Sequence, residues 1–301
     1  MNEEEFIEKL RQNSALLREP LVLGIGDDAA VFKPNPKALE LLATDMLCEG
    51  VHFLPEEDPK LVGRKALAVN LSDIAAMGGA PTLALVSLAF PASRGADYGL
   101  KLMDGVQELA RDYGVQICGG DTNRSAHDVN ICVTILGECR RPVLRSGAKP
   151  GDGIFVTGTL GASLPTRKHL LFKPRVREAL RLNEHYKVHS MTDISDGLVR
   201  DLGHILKESH CGAILDQAAI PITQTLTSLN PDDQISHAMT DGEDFELVFT
   251  APIELAESLS KDPAFFDCPV TCIGKVQKKP GLFWTSSLPI KLNGYTHLWN
   301  S

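Results

Sequence analysis

The 301-residue sequence predicts an α/β (α+β) protein in two domains. Three observations carry that expectation. Apolar runs of strand length alternate with helical patterns through the first half. A polar, basic, turn-rich stretch, ECRRPVLRSGAKPGDG, interrupts the pattern near residue 140. The same mixture then resumes in the second half, with no tandem repeat and no low-complexity segment.

The elements follow in order. The acidic opening MNEEEFIEKL reads as a short amphipathic helix with Phe6, Ile7 and Leu10 on one side, and it lacks the basic and apolar regions of a signal peptide. Strands are expected at Leu41–Thr44, Leu83–Phe90, Val115–Cys118 and Val129–Leu136. A helix is expected over Leu100–Tyr113, with Leu102, Val106, Leu109 and Ala110 on its apolar face. The turn-rich stretch places a domain connection near residue 140 and divides the chain into 1–140 and 141–301. Beyond it, strands are expected at Ile154–Thr157, Ala213–Leu215, Phe245–Thr250 and Thr271–Val276. Leu198, Val199, Leu202, Ile205 and Leu206 form a helical stripe that Gly212 would stop.

Composition excludes several functions. The formal net charge is −9, and no Lys/Arg-rich run offers a face to nucleic acid. The most apolar stretch, Ala66 to Ala92, carries Asn70, Asp73, Gly78, Gly79 and Pro81, which a membrane helix would not place at its centre. The seven cysteines are odd in number, sit mostly in apolar surroundings and form no CxxC, so a soluble protein of the reducing cytoplasm is expected.

The chemistry is carried by aspartates beside glycine. In LVLGIGDDAAV, Gly24, Gly26 and Ala29 imitate a dinucleotide fingerprint, but Pro34 and Pro36 forbid the helix that such a site needs. Asp27 and Asp28 suit a hard cation, or a simple Gly-Asp turn. Thr44 and Asp45 close an expected strand, with Glu49, Gly50 and His52 just after. Asp73 lies among small apolar residues, where an unpartnered carboxylate costs several kcal/mol. Gly119-Gly120-Asp121 follows an expected strand, Asp193 and Asp196 lie in TDISDGLVRDLGH, and Glu243, Asp244 and Glu246 in DGEDFEL. Ser195 or Asp196 also reads as an N-cap for the helix after it, and His52 taken alone as a packed or surface residue. Oxygen ligands without a Cys/His cluster favour Mg²⁺, Mn²⁺ or Ca²⁺ over zinc. Magnesium among several carboxylates points to phosphates, yet no Walker A, HRD/DFG or GxSxG signature occurs.

In order along the chain, GIGDDAAV, TDMLCEGVHF, KALAVNLSDIAAMGGAP, GGDTNRS, RSGAKPGD, TDISDGLVRDLGH and GEDFELVFT resemble the thiamine-monophosphate kinase family. The resemblance runs to the C-terminal GYTHLW. It implies the aminoimidazole ribonucleotide synthetase-like architecture. There, an N-terminal mixed-sheet domain binds metal and ATP and pairs its sheet in a homodimer, a C-terminal α/β domain follows, and ATP lies between them.

The resemblance further implies that ATP phosphorylates thiamine monophosphate with several Mg²⁺ ions. Asp28, Thr44, Asp45, Asp73, Asp121, Asp193 and Asp196 would be the metal ligands, with Asp73, Asp121 and Asp196 carrying catalysis. Gly120, Asp121, Arg145 and Ser195 would contact ATP, and His52, Glu243 and Tyr295 the acceptor. Three departures from the family pattern stand out: Ala43 before Thr44, Asn123 after GGDT, and the missing Arg-Pro in the 169–175 stretch. Two other readings are weighed: an amide-activating enzyme of the same superfamily, and a nucleotide-binding regulator without turnover. The hydrogenase-maturation relatives need a C-terminal cysteine and the selenophosphate-forming ones a reactive cysteine in a mobile N-terminal glycine-rich loop; the LWNS ending and the place of Cys48 inside its motif argue against both.

Metal is expected on physical grounds as well. Two polyanionic phosphates must meet, and each pair of unit charges at about 4 Å repels by roughly 4 kcal/mol at an effective dielectric near 20.

Overall fold

A computed structural model describes residues 3–13, 17–25, 29–291 and 294–295. The chain divides into two compact units, one of residues 1–74 and 79–141 and the other of 75–78 and 142–301.

The N-terminal unit opens with α1 (Glu3–Asn13) and a small antiparallel pair, β1 (Leu21–Leu23) and β2 (Val31–Phe32). Its main sheet contains β3 (Leu39–Cys48), β4 (Ala80–Pro91), β5 (Gln116–Ser125) and β6 (Asn130–Cys139) in the order β3-β6-β4-β5. Only β4 and β5 are parallel, and α3 (Ala96–Tyr113) supplies the crossover that a parallel pair requires. It ends where Gly114 takes a left-handed cap.

The helix α2 (Pro59–Ala76) joins β3 to β4. Its periodicity is hidden because it is apolar nearly all round: Val62, Ala66, Leu67, Ala68, Leu71, Ile74 and Ala75 are all buried. It crosses α3 at two glycines. A Cβ on Gly63 would strike the Leu102 carbonyl, and one on Gly105 would strike that of Lys60.

Alternation along β6 separates the two faces of this sheet. Ile131, Val133 and Ile135 are fully buried, whereas Cys132, Thr134 and Leu136 are half-buried. Asp45, Val133, Val86 and Gly120 form one row across the sheet, on the face that carries Val133. Met46, Cys132, Ser87 and Asp121 form the next row, on the opposite, more open face.

The C-terminal unit holds β7 (Asp152–Thr157), β8 (Ser190–Asp193), β9 (Gly212–Leu215), β10 (Leu247–Pro252), β11 (Val270–Gln277) and β12 (Gly281–Trp284), in the order β12-β9-β11-β7-β10-β8. The pairs are antiparallel except β9 with β12. Its helices are α4 (Lys168–Leu171), α5 (Val176–His185), α6 (Leu198–Glu208), α7 (Pro231–Thr240) and α8 (Ala256–Lys261). The stripe of α6 packs Leu198, Leu202 and Ile205 against Ile154, Val156 and Val248 of the central strands and Met239 of α7. Phe155 and Phe249, a register pair one position over, stack at 5.3 Å on the other face. Every residue of β7 is buried, as expected for a strand covered on both sides.

Three local expectations are corrected. β3 runs on through Thr44 and Asp45 to Cys48, and β5 runs through Gly119, Gly120 and Asp121, so these motifs lie within strands. Gly120 permits this because a Cβ there would meet the Val86 carbonyl of β4. Gly212 does not stop α6, which ends at Glu208. It begins β9, where a Cβ would collide with the Lys279 carbonyl. Among the described residues no helix is long and apolar enough to cross a membrane.

Candidate functional site

In the N-terminal unit, α2 and β3 bring Asp45, Asp73 and His52 together. The Asp45 amide donates to Asn70 Oδ1 at 3.1 Å, and Asn70 is itself pinned to the Ala66 carbonyl, so the strand is tied to the helix beside Asp73. Burial pushes the Asp45 carboxyl up, while a hydrogen bond with Asp73 and the nearby His52 pull it back. Two carboxyl groups in hydrogen-bond contact share a proton unless a cation replaces it, so this donor set fits a hard divalent ion.

His52 is held at both ends. Its Nδ1 accepts the Cys48 amide at 3.0 Å, which puts the proton of the neutral ring on Nε2. Its carbonyl accepts Lys65 Nζ at 2.7 Å, and Lys65 is fully buried.

Thr44 and Asp121 face the other way. Thr44 Oγ1 donates to the Val133 carbonyl at 3.0 Å, and Asp121 accepts Asn123 Nδ2 at 2.7 Å, both from the opposite face of the sheet to Asp45. Strand alternation therefore separates the sequence neighbours Thr44 and Asp45, while Gly120 stands beside Asp121 on β5. Asp28 lies outside the described residues.

In the C-terminal unit, Arg145, Asp193, Ser195, Asp196, Glu243 and Tyr295 gather at the turn from β8 into α6. Asp193 ends β8. The Ser195 carbonyl accepts the Glu243 amide at 2.7 Å, and the Asp196 carbonyl accepts that of Tyr295 at 3.1 Å. Arg145 Nε reaches Thr192 Oγ1 at 3.4 Å, and Arg200 Nε lies 3.2 Å from the Asp196 carboxylate. The capping alternative does not hold: Gly197 occupies the N-cap, with φ at 108° and no side-chain cap.

The Asp196 amide is taken instead by Asp201 Oδ2 at 2.9 Å. Asp201 is buried, and burial together with Asp193 and Asp196 pushes its carboxyl up to about 8, against the pull of that amide and of Arg145. Three carboxyl groups thus stand together beside Arg145 and Arg200, and oxygen donors of this kind suit a hard divalent ion. Asp201, Arg200, Lys65 and Asn70 were not singled out from the sequence as site residues. The one available signal was a polar residue at helical spacing inside an apolar run.

The neighbouring DGEDFEL motif splits its acids. Glu243 is half-buried, whereas Asp244 and Glu246 are buried and paired. Arg175 grips Glu246 with two bonds of 2.7 Å, and Lys168 lies 3.2 Å from Asp244 and 3.1 Å from Glu246. Among the described residues, no three His, Cys, Asp or Glu side chains form a group that could hold a metal ion.

Comparison with known proteins identifies the family. Residues 26–139 match the model of the AIR synthase related protein, N-terminal domain, and residues 149–285 that of its C-terminal domain. The thiamine-monophosphate kinase of Rhodopirellula baltica is 40% identical over 293 residues, 93% of this chain and 91% of that protein. The crystal structure of thiamine-monophosphate kinase from Stenotrophomonas maltophilia K279a is 34% identical, with a TM-score of 0.84 over 95% of this chain and 97% of that one. AaThiL complexed with AMPPCP and TMP is 31% identical, with a TM-score of 0.74 over 88% and 89% of the two chains. The chain belongs to the AIR synthase related family, among the thiamine-monophosphate kinases.

Proposed function

We propose that this enzyme transfers the γ-phosphoryl group of ATP to the phosphate of thiamine monophosphate, giving thiamine diphosphate and ADP. The observation that carries the reading is the gathering of Arg145, Asp193, Ser195, Asp196, Glu243 and Tyr295 at one turn of the C-terminal unit. The AMPPCP and TMP bound in AaThiL support both substrates.

Asp45, Asp73, Asp193 and Asp196, with Asp28, Thr44 and Asp121, would hold several Mg²⁺ ions. Magnesium, when bound, neutralises phosphate charge and acts as a Lewis acid. Arg145, Ser195 and Gly120 orient ATP. Glu243 and Tyr295 hold the acceptor, and His52 donates its Nε2 proton in a hydrogen bond to a phosphate oxygen. Because Nδ1 is already an acceptor for the Cys48 amide, His52 serves as a donor and leaves base catalysis aside.

An oxygen of the acceptor phosphate forms the new P–O bond as the bond from γ-phosphorus to the bridging oxygen breaks and ADP departs. No side chain is phosphorylated, because in-line transfer needs chiefly positioning and charge neutralisation. The N-terminal domain, residues 1–140, also supplies the dimer contact by pairing its sheet with that of a second copy. Residues 141–301 form the second domain of a cytoplasmic homodimer.

The test is ADP release. Thiamine monophosphate should support Mg²⁺-dependent turnover that thiamine does not. ADP released equally with either compound, or with neither, would sink the assignment.

A further inference from the structure

Glu243 lies in a turn that its own backbone disfavours. Gly242, Glu243 and Phe245 have φ of 72°, 54° and 50°, so two residues with side chains adopt the left-handed region. Such residues are strained and persist where the surroundings over-determine them.

The surroundings come from one segment, residues 157–175, which grips each following residue in turn. Asp244 accepts the Gly161 amide at 3.0 Å, Ser163 Oγ at 2.8 Å and Lys168 Nζ at 3.2 Å. The Phe245 ring stacks on Phe172 at 4.1 Å. Glu246 accepts Thr157 Oγ1 at 2.8 Å and both arms of Arg175. Lys168 also donates to the Thr159 carbonyl at 2.7 Å, which ties the segment to itself. On its other side the turn is tied by backbone to the metal-carrying stretch: Glu243 N to Ser195 O, Phe245 N to Ile194 O and Ile194 N to Glu246 O.

We propose that Lys168 and Arg175, paired with Asp244 and Glu246, are positioning residues that hold Glu243 in place for the phosphate-bearing acceptor. The inference rests on the reading that Glu243 meets that acceptor. Two partly buried cations matched to two buried acids make a rigid frame, and the half-buried Glu243 lies between the glycine and the first of those acids. Stability alone does not call for such a network, since apolar side chains of similar size often serve it as well or better.

Arg175→Lys keeps the charge and loses the two-armed grip. With thiamine monophosphate and ATP varied separately, its KM for the acceptor should rise by about 10-fold, the order expected from a small misplacement of a binding group. KM for ATP should stay within about 2-fold, as for a contact made to one substrate alone. Amide exchange over 242–246 should quicken in the same variant. Adding Glu243→Gln should then give no further rise, because both changes remove one contact. If Arg175→Lys does not fold, Ser163→Ala makes a milder cut on the Asp244 arm and reads the same ratio.

An unchanged acceptor KM alongside quicker exchange would overturn the proposal, as would equal changes for both substrates or fully additive effects. If Glu243→Gln alone leaves both KM values unaltered, the acceptor reading fails and takes this inference with it.

Discussion

Two groups of buried carboxylates sit in the C-terminal unit, and they are built on opposite principles. Around Asp201, burial and the negative neighbours Asp193 and Asp196 push the carboxyl up to about 8, with Arg145 a partial offset. Around Glu246, burial works in the same direction, yet Lys168 and Arg175 outweigh it and hold the group below the usual carboxylate range. Asp244, gripped by Lys168 but by neither arm of Arg175, is still raised by its burial. The difference lies in who supplies the counter-charge. At Glu246 the protein supplies it at folding. At Asp201 it is only partial, with Arg145 set against burial and two negative neighbours.

The same acid-to-amide change should therefore have unequal effects. Glu246→Gln breaks a buried pair and strands Arg175, so denaturant titration should show a loss of about 3–5 kcal/mol. Its pH dependence should change as well. A carboxylate held low in the folded state contributes stability above its unfolded value, near 4.5, which is lost as pH falls through the folded value. The wild type should therefore lose stability on acidification below that region more steeply than the variant. Matching acid limbs for the two proteins would break the contrast.

Next in size is catalysis. Asp73→Asn or Asp196→Asn should lower turnover by about 100-fold or more, near 2.7 kcal/mol of barrier, with thermal stability undiminished. Normal turnover by either variant at limiting Mg²⁺ would remove that aspartate from the ligand set. The smallest effect is expected at Asp201. The side chain already favours its neutral form, so Asp201→Asn should shift the metal-free stability at neutral pH by less than about 0.5 kcal/mol. A loss as large as that at Glu246 would mean that Asp201 is a structural acid after all.

How much of this was legible depended on the range of each interaction. The stripe of α6 and the apolar face of α3 follow the helical period and were readable, as was the mixed fold class. α2 was not, because a helix buried on all sides shows no polar face. Strand ends were misjudged at Asp45 and Asp121, where polar and glycine residues that read as turns continue the ladder. Asp73 attracted attention by its apolar neighbours, and Asp45 is its hydrogen-bond partner. Asp201 reads in the sequence as one more polar residue on an amphipathic helix. The grip of Lys168 and Arg175 on Asp244 and Glu246 spans more than seventy residues of sequence, and nothing in the local pattern announces it.

The two glycines where α2 crosses α3 bear on Asp73 through leverage. Gly63 and Asp73 are ten residues apart on one rigid helix, roughly 15 Å at 1.5 Å per residue. The crossing acts as a fulcrum and the carboxylate rides near the end of the arm. A methyl group at Gly63 or Gly105 would force the helices apart or tilt them, since each meets backbone carbonyl with no side chain to swing aside. A tilt of about 5° would carry the end of that arm by about 1.3 Å, more than half the length of a magnesium–oxygen bond. Two glycines at one helix crossing thus set the aim of a distant carboxylate, and alanine at either should misdirect Asp73 without altering a single charge.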